Sequence, residues 1–480
     1  MGRREVTTGG QAEQPDLTPV QRLGETIADR VERWMPGPFL FAIILTYVAG
    51  VAAFVSEGSG PVEIAEAWYG GFWSLLEFAM QMVLILATGT VVAYHPRVRA
   101  VILRIVGLPR TGPQAAVVVA IGSMLAAWVS WGLGLIFGAI LAREMGRHAA
   151  HRGMSTHYPL LAVAGYMGVG LNWGWGLSSS PGLLQATEGN VLMRLGFVDR
   201  VIPATEWVFH PYPLLLTALG IGYASLMLWL LSPPASHCRG IESYEPAGVG
   251  SGDATPPTLE TAPERAGDDA TTLADRIDNS RLLGGTLALV GVALSVRVFL
   301  TEGLGALDLN VLNFAFLMAG LLLFLSPARY EKDFYRAIQG CAGIIMLYPF
   351  YAGIIGIMTG TGLVETITRT LLALASADTF PVVAWITAAA LNVFIPSGGG
   401  EWAVVGGPML VAAAELGIPP GQTIAAYAAG DAHTNLLNPF WALPLLAITG
   451  LRARDMFGYA ITMMLLLTPF LAAALYLLPY

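Results

Sequence analysis

Apolar runs long enough to cross about 30 Å of hydrocarbon recur at 38–55, 72–93, 158–187, 212–231, 282–300, 309–325, 338–364, 423–450 and 455–478, which predicts nine membrane crossings. Two further runs, 114–145 and 380–416, are apolar but broken in the middle, at Ser130-Trp131-Gly132-Leu133-Gly134 and at Pro396-Ser397-Gly398-Gly399-Gly400. Each reads either as two short crossings or as one re-entrant hairpin. Ahead of the first run, Thr18-Pro19 has the form of an N-cap followed by a first-turn proline. Val20, Leu23, Ile27, Val31 and Trp34 then share one helical face, which predicts a helix lying at the membrane interface after a polar lead over 1–17. Residues 232–281 are rich in Pro, Gly, Asp and Glu and poor in large apolar residues, the composition of a disordered connector.

Charge decides how the broken runs are threaded, because Lys and Arg collect in cytoplasmic loops. With both runs taken as hairpins and the N-terminus inside, 21 of the 25 Lys and Arg fall on the cytoplasmic side. The first hairpin then enters from the cytoplasm, the second enters from outside, and the C-terminus lies outside. Landmarks recur in the same order at nearly constant spacing: Ala49-Gly50 with Ala319-Gly320, Thr88-Gly89-Thr90 with Thr359-Gly360-Thr361, the two broken runs with each other, and Ala164-Gly165 with Ala429-Gly430. Five crossings separate the starts of the two copies, so the predicted fold is an all-α polytopic membrane protein with inverted repeats, two opposed re-entrant hairpins and discontinuous helices. Its expected divisions are a cytoplasmic tail with the interfacial helix (1–37), a first membrane repeat (38–231), a cytoplasmic linker (232–281), a connecting transmembrane helix (282–308) and a second repeat (309–480).

Composition agrees. At 55% apolar and 12% charged residues, the 480-residue chain has too little polar surface to cover a water-soluble fold. The net charge of −8 comes largely from the acidic connector and carries no argument for a nucleic-acid partner. Cys238 and Cys341 offer neither a disulfide framework nor metal-ligand spacing, and His148 and His151 have helical ligand spacing without a third ligand nearby. No cleavable signal peptide is expected, so the first span directs insertion into the cell membrane.

Four polar interruptions fall at membrane depth: Ser130–Gly134, Asn172–Pro181, Pro396–Trp402 and Asp431–Pro439. Non-helical backbone is tolerated there only when buried in protein or lining a cavity; close helix packing on glycine is the plainer alternative, but four interruptions in repeat-related positions favour a site. None of the four contains Lys or Arg. An anionic solute would therefore rest on helix N-terminal amides and on polar side chains, and Ser130, Gly132, Asn172, Ser178, Ser397, Gly398, Gly399, Gly400, Thr434 and Asn435 are the candidate substrate contacts. Ser179 and Ser180 supply further hydroxyls. Such a site suits a monocarboxylate better than a dicarboxylate or phosphate. Glu401 and Asp431 are acids at depth, each needing a proton, a cation or water, and are candidates for coupling H+ or Na+ together with His433, the only one of seven histidines at depth. All three also admit a purely structural role, and Glu77 reads as structural near an interface. Trp131, Trp173, Trp175, Trp402 and Trp441 flank the interruptions, either as walls of an apolar slot or as interface anchors.

The same segments carry a resemblance. Trp131-Gly132-Leu133-Gly134-Leu135-Ile136 with Ala142-Arg143-Glu144, Gly176-Leu177-Ser178, Pro396-Ser397-Gly398-Gly399-Gly400 with Trp402-Ala403-Val404, Gly430-Asp431-Ala432 with Thr434-Asn435, and Pro439-Phe440-Trp441-Ala442-Leu443-Pro444 resemble the short-chain fatty acid transporter family, the acetoacetate and butyrate uptake type, from about Arg30 to the C-terminus outside the connector. The resemblance implies a secondary active carrier of small carboxylates, embedded in the bilayer, working by alternating access, often as a dimer, and needing no cofactor beyond a coupling ion. The chain departs from the family pattern at Glu401, where glutamine or histidine is usual, at His433 and Asn438, and in lacking a histidine within Asn172–Trp175. Substrate and coupling ion are thus the least inherited features. Competing readings are a carrier of another organic anion, a passive channel, and an intramembrane hydrolase with Ser397 as nucleophile and His433 as base.

Overall fold

The computed structural model describes residues 38–244 and 272–480, apart from Phe394 and Pro439. The expected interfacial helix near the N-terminus and the middle of the connector lie outside the described residues. Among the described residues every regular element is helical.

The first set of elements comprises α1 (Pro38–Ala52, extended by a π-turn over Ala53–Glu57), α2 (Pro61–Gly71), α3 (Leu76–Tyr94), α4 (Pro96–Ile105), α5 (Gly112–Val129), α6 (Trp131–His151), α7 (Tyr158–Met167) and α8 (Ser180–Ala186). Two single turns, α9 (Val191–Arg194) and α10 (Ala204–Trp207), lead to α11 (Pro211–Leu231). After α12 (Leu273–Asp278) and α13 (Arg281–Glu302), the same order runs again. Its members are α14 (Leu309–Phe324), α15 (Pro327–Ile338), α16 (Ala342–Gly360), α17 (Leu363–Leu374), α18 (Phe380–Asn392), α19 (Gly398–Glu415), α20 (Pro420–Thr434), α21 (Leu443–Thr449) and α22 (Ala453–Leu477). The two serines that interrupt the broken runs hold the same place in each set. Ser130 is the extended N-cap of α6, and Ser397 is the extended N-cap of α19.

Among the described residues, seven helical stretches are long and apolar enough to cross a membrane: 39–57, 76–94, 112–129, 211–231, 273–302, 327–360 and 453–477. The runs 158–187 and 423–450, expected to be interrupted, are each divided into two helices by irregular backbone. Between α7 and α8 come a π-turn over Gly168–Asn172 and a 3-10 turn over Trp173–Trp175. Between α20 and α21 lie turns over 435–437 and an irregular stretch. The glycines after Ser397 form the first turn of α19. Glycine costs helix stability there, about 0.5–1 kcal/mol for each residue relative to alanine, but the neighbours leave no room for a side chain.

Packing follows the rules of a lipid solvent, with large side chains outside and small ones between helices. On α13, Leu282, Leu283, Leu287, Leu289, Val290, Leu294, Val296 and Leu300 are exposed. Its buried residues are Gly284, Ala288, Gly291 and Ser295, one stripe at helical spacing. A Cβ on Gly291 would run into Met318 of α14, which fixes that stripe as the α13–α14 contact. Polar side chains tie α3 to α14: Gln81 Nε2 donates to Asn310 Oδ1 at 2.9 Å and Asn313 Nδ2 donates to the Gln81 carbonyl at 3.1 Å.

The two described ends of the connector are structured. Ile241 is buried beside Gly146 of α6, the Tyr158 amide donates to the Arg239 carbonyl at 2.8 Å, and Thr272 caps α12 in a reciprocal box with Asp275. The stretch expected to be linker therefore lies against the helical body at least over Arg239–Ile241.

Helices α6 and α7 meet backbone to backbone at Gly138 and Gly165. A Cβ on Gly165 would lie 2.9 Å from the Gly138 carbonyl carbon. Gly165→Leu should cost at least the 1–3 kcal/mol or so typical of overpacking and lower the unfolding midpoint of detergent-solubilised protein. Gly222→Leu on α11, where nothing lies within 4 Å, is the control and should leave the midpoint in place; equal midpoints for the two variants would contradict this packing.

Candidate functional site

The two serine-capped tips are built alike and finished differently. At the first, Ser130 Oγ accepts from the Leu133 amide at 3.5 Å. The Trp131 amide, in the first turn of α6 with no intrahelical carbonyl to meet, donates to Ser178 Oγ at 2.8 Å. The Leu177 amide donates to the Trp128 carbonyl at 2.7 Å. This tip is thereby sewn to the irregular backbone between α7 and α8. Gly132 lies against the α3 backbone, where a Cβ would come 3.1 Å from the Ile85 carbonyl, so it serves close packing.

At the second tip, Ser397 Oγ accepts from the Gly400 amide at 3.3 Å and lies 3.3 Å from the Tyr348 hydroxyl, which it meets as donor. Gly398 and Gly399 occupy the first turn, where amides have no intrahelical acceptor, and both line a small cavity. The cavity measures about 30 Å³ and is also lined by Met82, Trp131, Val169, Trp173, Ser180, Ile344, Tyr348, Ser397, Asn435 and Trp441. That is room for one or two waters. Three of the five tryptophans wall it: Trp131 stands edge-on to Trp441 at 5.3 Å and to Trp173 at 6.4 Å. Trp175 and Trp402 are buried elsewhere, the first donating to the Ala425 carbonyl at 2.9 Å and the second packed on Tyr427.

Asp431 adjoins the cavity behind Gly398; a Cβ on that glycine would come 2.5 Å from Asp431 Oδ2. That oxygen is buried without a hydrogen-bond partner. Glu401, fully buried, accepts at Oε1 from the Tyr427 hydroxyl at 2.5 Å, while its Oε2 has no partner. The two acids are near enough to interact electrostatically. His433 faces the other way. Its Nε2 lies 2.7 Å from the Met464 carbonyl, an acceptor only, so that nitrogen carries hydrogen, and Nδ1 is left buried without a partner.

Of the candidate substrate contacts, the structure brings Ser397, Gly398, Gly399 and Asn435 to one cavity. Ser130, Gly132, Asn172, Ser178, Gly400 and Thr434 hold the backbone around it. Asn172 Nδ2 donates to the Met124 carbonyl at 3.0 Å, and Thr434 Oγ1 donates to the Gly430 carbonyl at 3.2 Å. The sequence reading missed Asn392, whose Nδ2 reaches the Asp431 carbonyl at 2.8 Å and Thr434 Oγ1 and Asn435 Oδ1 at 3.0 Å each. Its only signal is an amide ending an apolar helix. Tyr348, Ile344 and Met82 were also missed, since each reads as an ordinary member of an apolar run.

The sequence profile of the family described as short chain fatty acid transporter matches residues 19–478. A protein of Haemophilus influenzae named for short-chain fatty acid transport is 33% identical over 464 residues, covering 96% of this chain and 100% of its own. One of Escherichia coli with the same name is 34% identical over 448 residues, covering 93% and 97%. Among solved structures, the YdaH transporter of Alcanivorax borkumensis, described as having an unusual topology, superposes with a TM-score of 0.54 over 92% of this chain and 96% of that one. At 16% identity this likeness shows a shared fold.

Asn392 shares its two amide hydrogens among three acceptors at the α20 break; Thr434 Oγ1 keeps its bond to Gly430, so Asn392→Leu should take a donor from the Asp431 carbonyl and Asn435 Oδ1 in a buried site, at about 1–3 kcal/mol for each group left without a partner. The expected result is a lower unfolding midpoint together with faster amide exchange over 432–436; unchanged exchange there would show that the amide does not hold the break.

Proposed function

Since the chain belongs to the short-chain fatty acid transporter family, we propose that it is a secondary active carrier of short monocarboxylates of the butyrate and acetoacetate kind, driven by H+ or Na+. The observation that carries this reading is the second tip. There Ser397, Gly398 and Gly399 line a cavity walled by three tryptophans, with Asp431 behind Gly398. A helix N-terminus presents roughly half a positive charge, enough to hold one carboxylate and too little for two. No Lys or Arg is among the residues lining the cavity. The tryptophan faces suit a short apolar tail.

Asp431 supplies the reason for coupling. A solute carboxylate at Gly398 and an ionised Asp431 beside it repel each other, so a proton or cation taken up at Asp431 strengthens solute binding. By reciprocity the solute strengthens uptake of the cation to the same degree. In this reading the two sets of elements are inverted in the membrane, the serine-capped pairs α5–α6 and α18–α19 are opposed re-entrant hairpins, and exchange of access moves one group of helices against the other. The protein sits in the cell membrane with its N-terminus in the cytoplasm and its C-terminus outside. A dicarboxylate or other organic anion would call for more donors at the tip. The hydrolase reading is disfavoured by the partners of its two residues, because Ser397 Oγ is engaged by Tyr348 and Gly400 while the His433 ring meets Met464.

Uptake of labelled butyrate into proteoliposomes under imposed proton or sodium gradients tests the proposal. Gly399→Val places its side chain against Phe78 and the Tyr348 hydroxyl, and is expected to abolish binding in protein that still inserts. Ser397→Ala should be milder, because the hydroxyl must turn from Tyr348 to meet a solute and its loss costs no more than about 1.5–3 kcal/mol, the worth of a hydrogen bond to a charged group. For Asp431→Asn the expected outcome is different in kind: loss of gradient-driven accumulation with solute exchange retained. Concentrative uptake at the normal level by that variant would remove Asp431 from coupling, and normal affinity in Gly399→Val would place the solute elsewhere.

A further inference from the structure

The cavity has a defined far end. Helices α3 and α16 run antiparallel along it, as two contacts fix: the Phe78 and Tyr348 rings meet at 5.6 Å, and further along α3 the Val83 carbonyl is met at 3.6 Å by Cys341 Sγ, just ahead of α16. Phe78 and Tyr348 stand level with the second tip, since a Cβ on Gly399 would lie 2.7 Å from the Phe78 ring and 3.0 Å from the Tyr348 hydroxyl. Met82 follows Phe78 by one turn of α3, and Ile344 precedes Tyr348 by one turn of α16. In antiparallel helices those two steps lead in the same direction. Both side chains line the cavity and both are buried.

We propose that Met82 and Ile344 form the floor that limits acyl-chain length, an inference that rests on the monocarboxylate reading of the site. One helical turn rises about 5.4 Å. A four-carbon acid, larger than the one or two waters for which the cavity has room, enters as the tip moves off α3 and α16; its three C–C bonds of about 1.5 Å each, laid zigzag from a carboxylate at Gly398 and Gly399, then span less than that turn. Two further carbons overrun it and meet the floor. Both floor residues are apolar and neither presents a hydrogen-bond donor, so they select by length alone. The polar end of the solute is read by Ser397 and the amides, and the two choices are separable.

The test is competition by straight-chain acids from acetate to octanoate against labelled butyrate in proteoliposomes of the full chain. In the wild type, affinity should rise to four carbons and fall by six. Met82→Ala and Ile344→Ala should move the optimum to six carbons, with a gain of about fourfold for each methylene given apolar room. Ile344→Phe should move it in the opposite direction, toward acetate, which keeps the proposal testable where the alanine variants fold poorly. A wild-type cut-off that none of these substitutions moves, or a wild type that accepts octanoate as well as butyrate, would overturn the floor. No competition by any monocarboxylate in the wild type would instead overturn the functional reading beneath it.

Discussion

Lipid offers no hydrogen bonds, and the fold is organised around that constraint. Helices α7 and α20 both stop inside the helical body, and their broken backbones are completed largely by each other's set of elements. Asn435 Nδ2 donates to the Val169 carbonyl at 3.1 Å, the Tyr166 hydroxyl donates to the Asn435 carbonyl at 3.2 Å, and Trp175 Nε1 reaches Ala425. Within each set the limb before the serine helps, through Met124 in the first and Asn392 in the second. The cavity lies where these two repairs meet, which is why residues from 82 to 441 contribute to its wall.

Electrostatics adds a second restraint. The buried acids beside the cavity are Asp431 and Glu401, and among the described residues each has one oxygen without a partner. Their surroundings differ. Glu401 is held by Tyr427 and shielded by the packing of Trp402, whereas Asp431 abuts a glycine that lines the cavity. Two similar acids one helix apart thus stand in unequal relation to a solute, and the inequality comes from what lies beside each one.

Much of this was legible in the sequence, and the legible part has a common cause. Each break is marked by residues that helices in lipid avoid without reason, so Ser130, Asn172, Ser397 and the stretch after Asp431 located the irregular backbone to within a few residues. The order of elements was likewise readable from Thr88-Gly89-Thr90 and Thr359-Gly360-Thr361. The walls were not. Met82, Ile344 and Tyr348 are apolar or aromatic residues in apolar helices, and only the antiparallel crossing of α3 and α16 brings them to the tip. His433 was open to a coupling or a structural role, because a single sequence does not say which face of α20 meets α22, where its ring lies against the Met464 carbonyl. Asn392 escaped notice because its importance lies in three acceptors contributed by a segment some forty residues later.

The hydroxyl of Ser178 acts, in effect, as a tethered ligand. It sits on the first-turn amide of α6, the position that at the other tip is left to a cavity, and the chain supplies it at a fixed, high effective concentration. A duplicated unit would otherwise present two equivalent anion-receptive helix ends at the core of one molecule. By occupying one of them with its own side chain, the protein makes its two serine-capped tips unlike: one is self-satisfied, and the other lines a cavity.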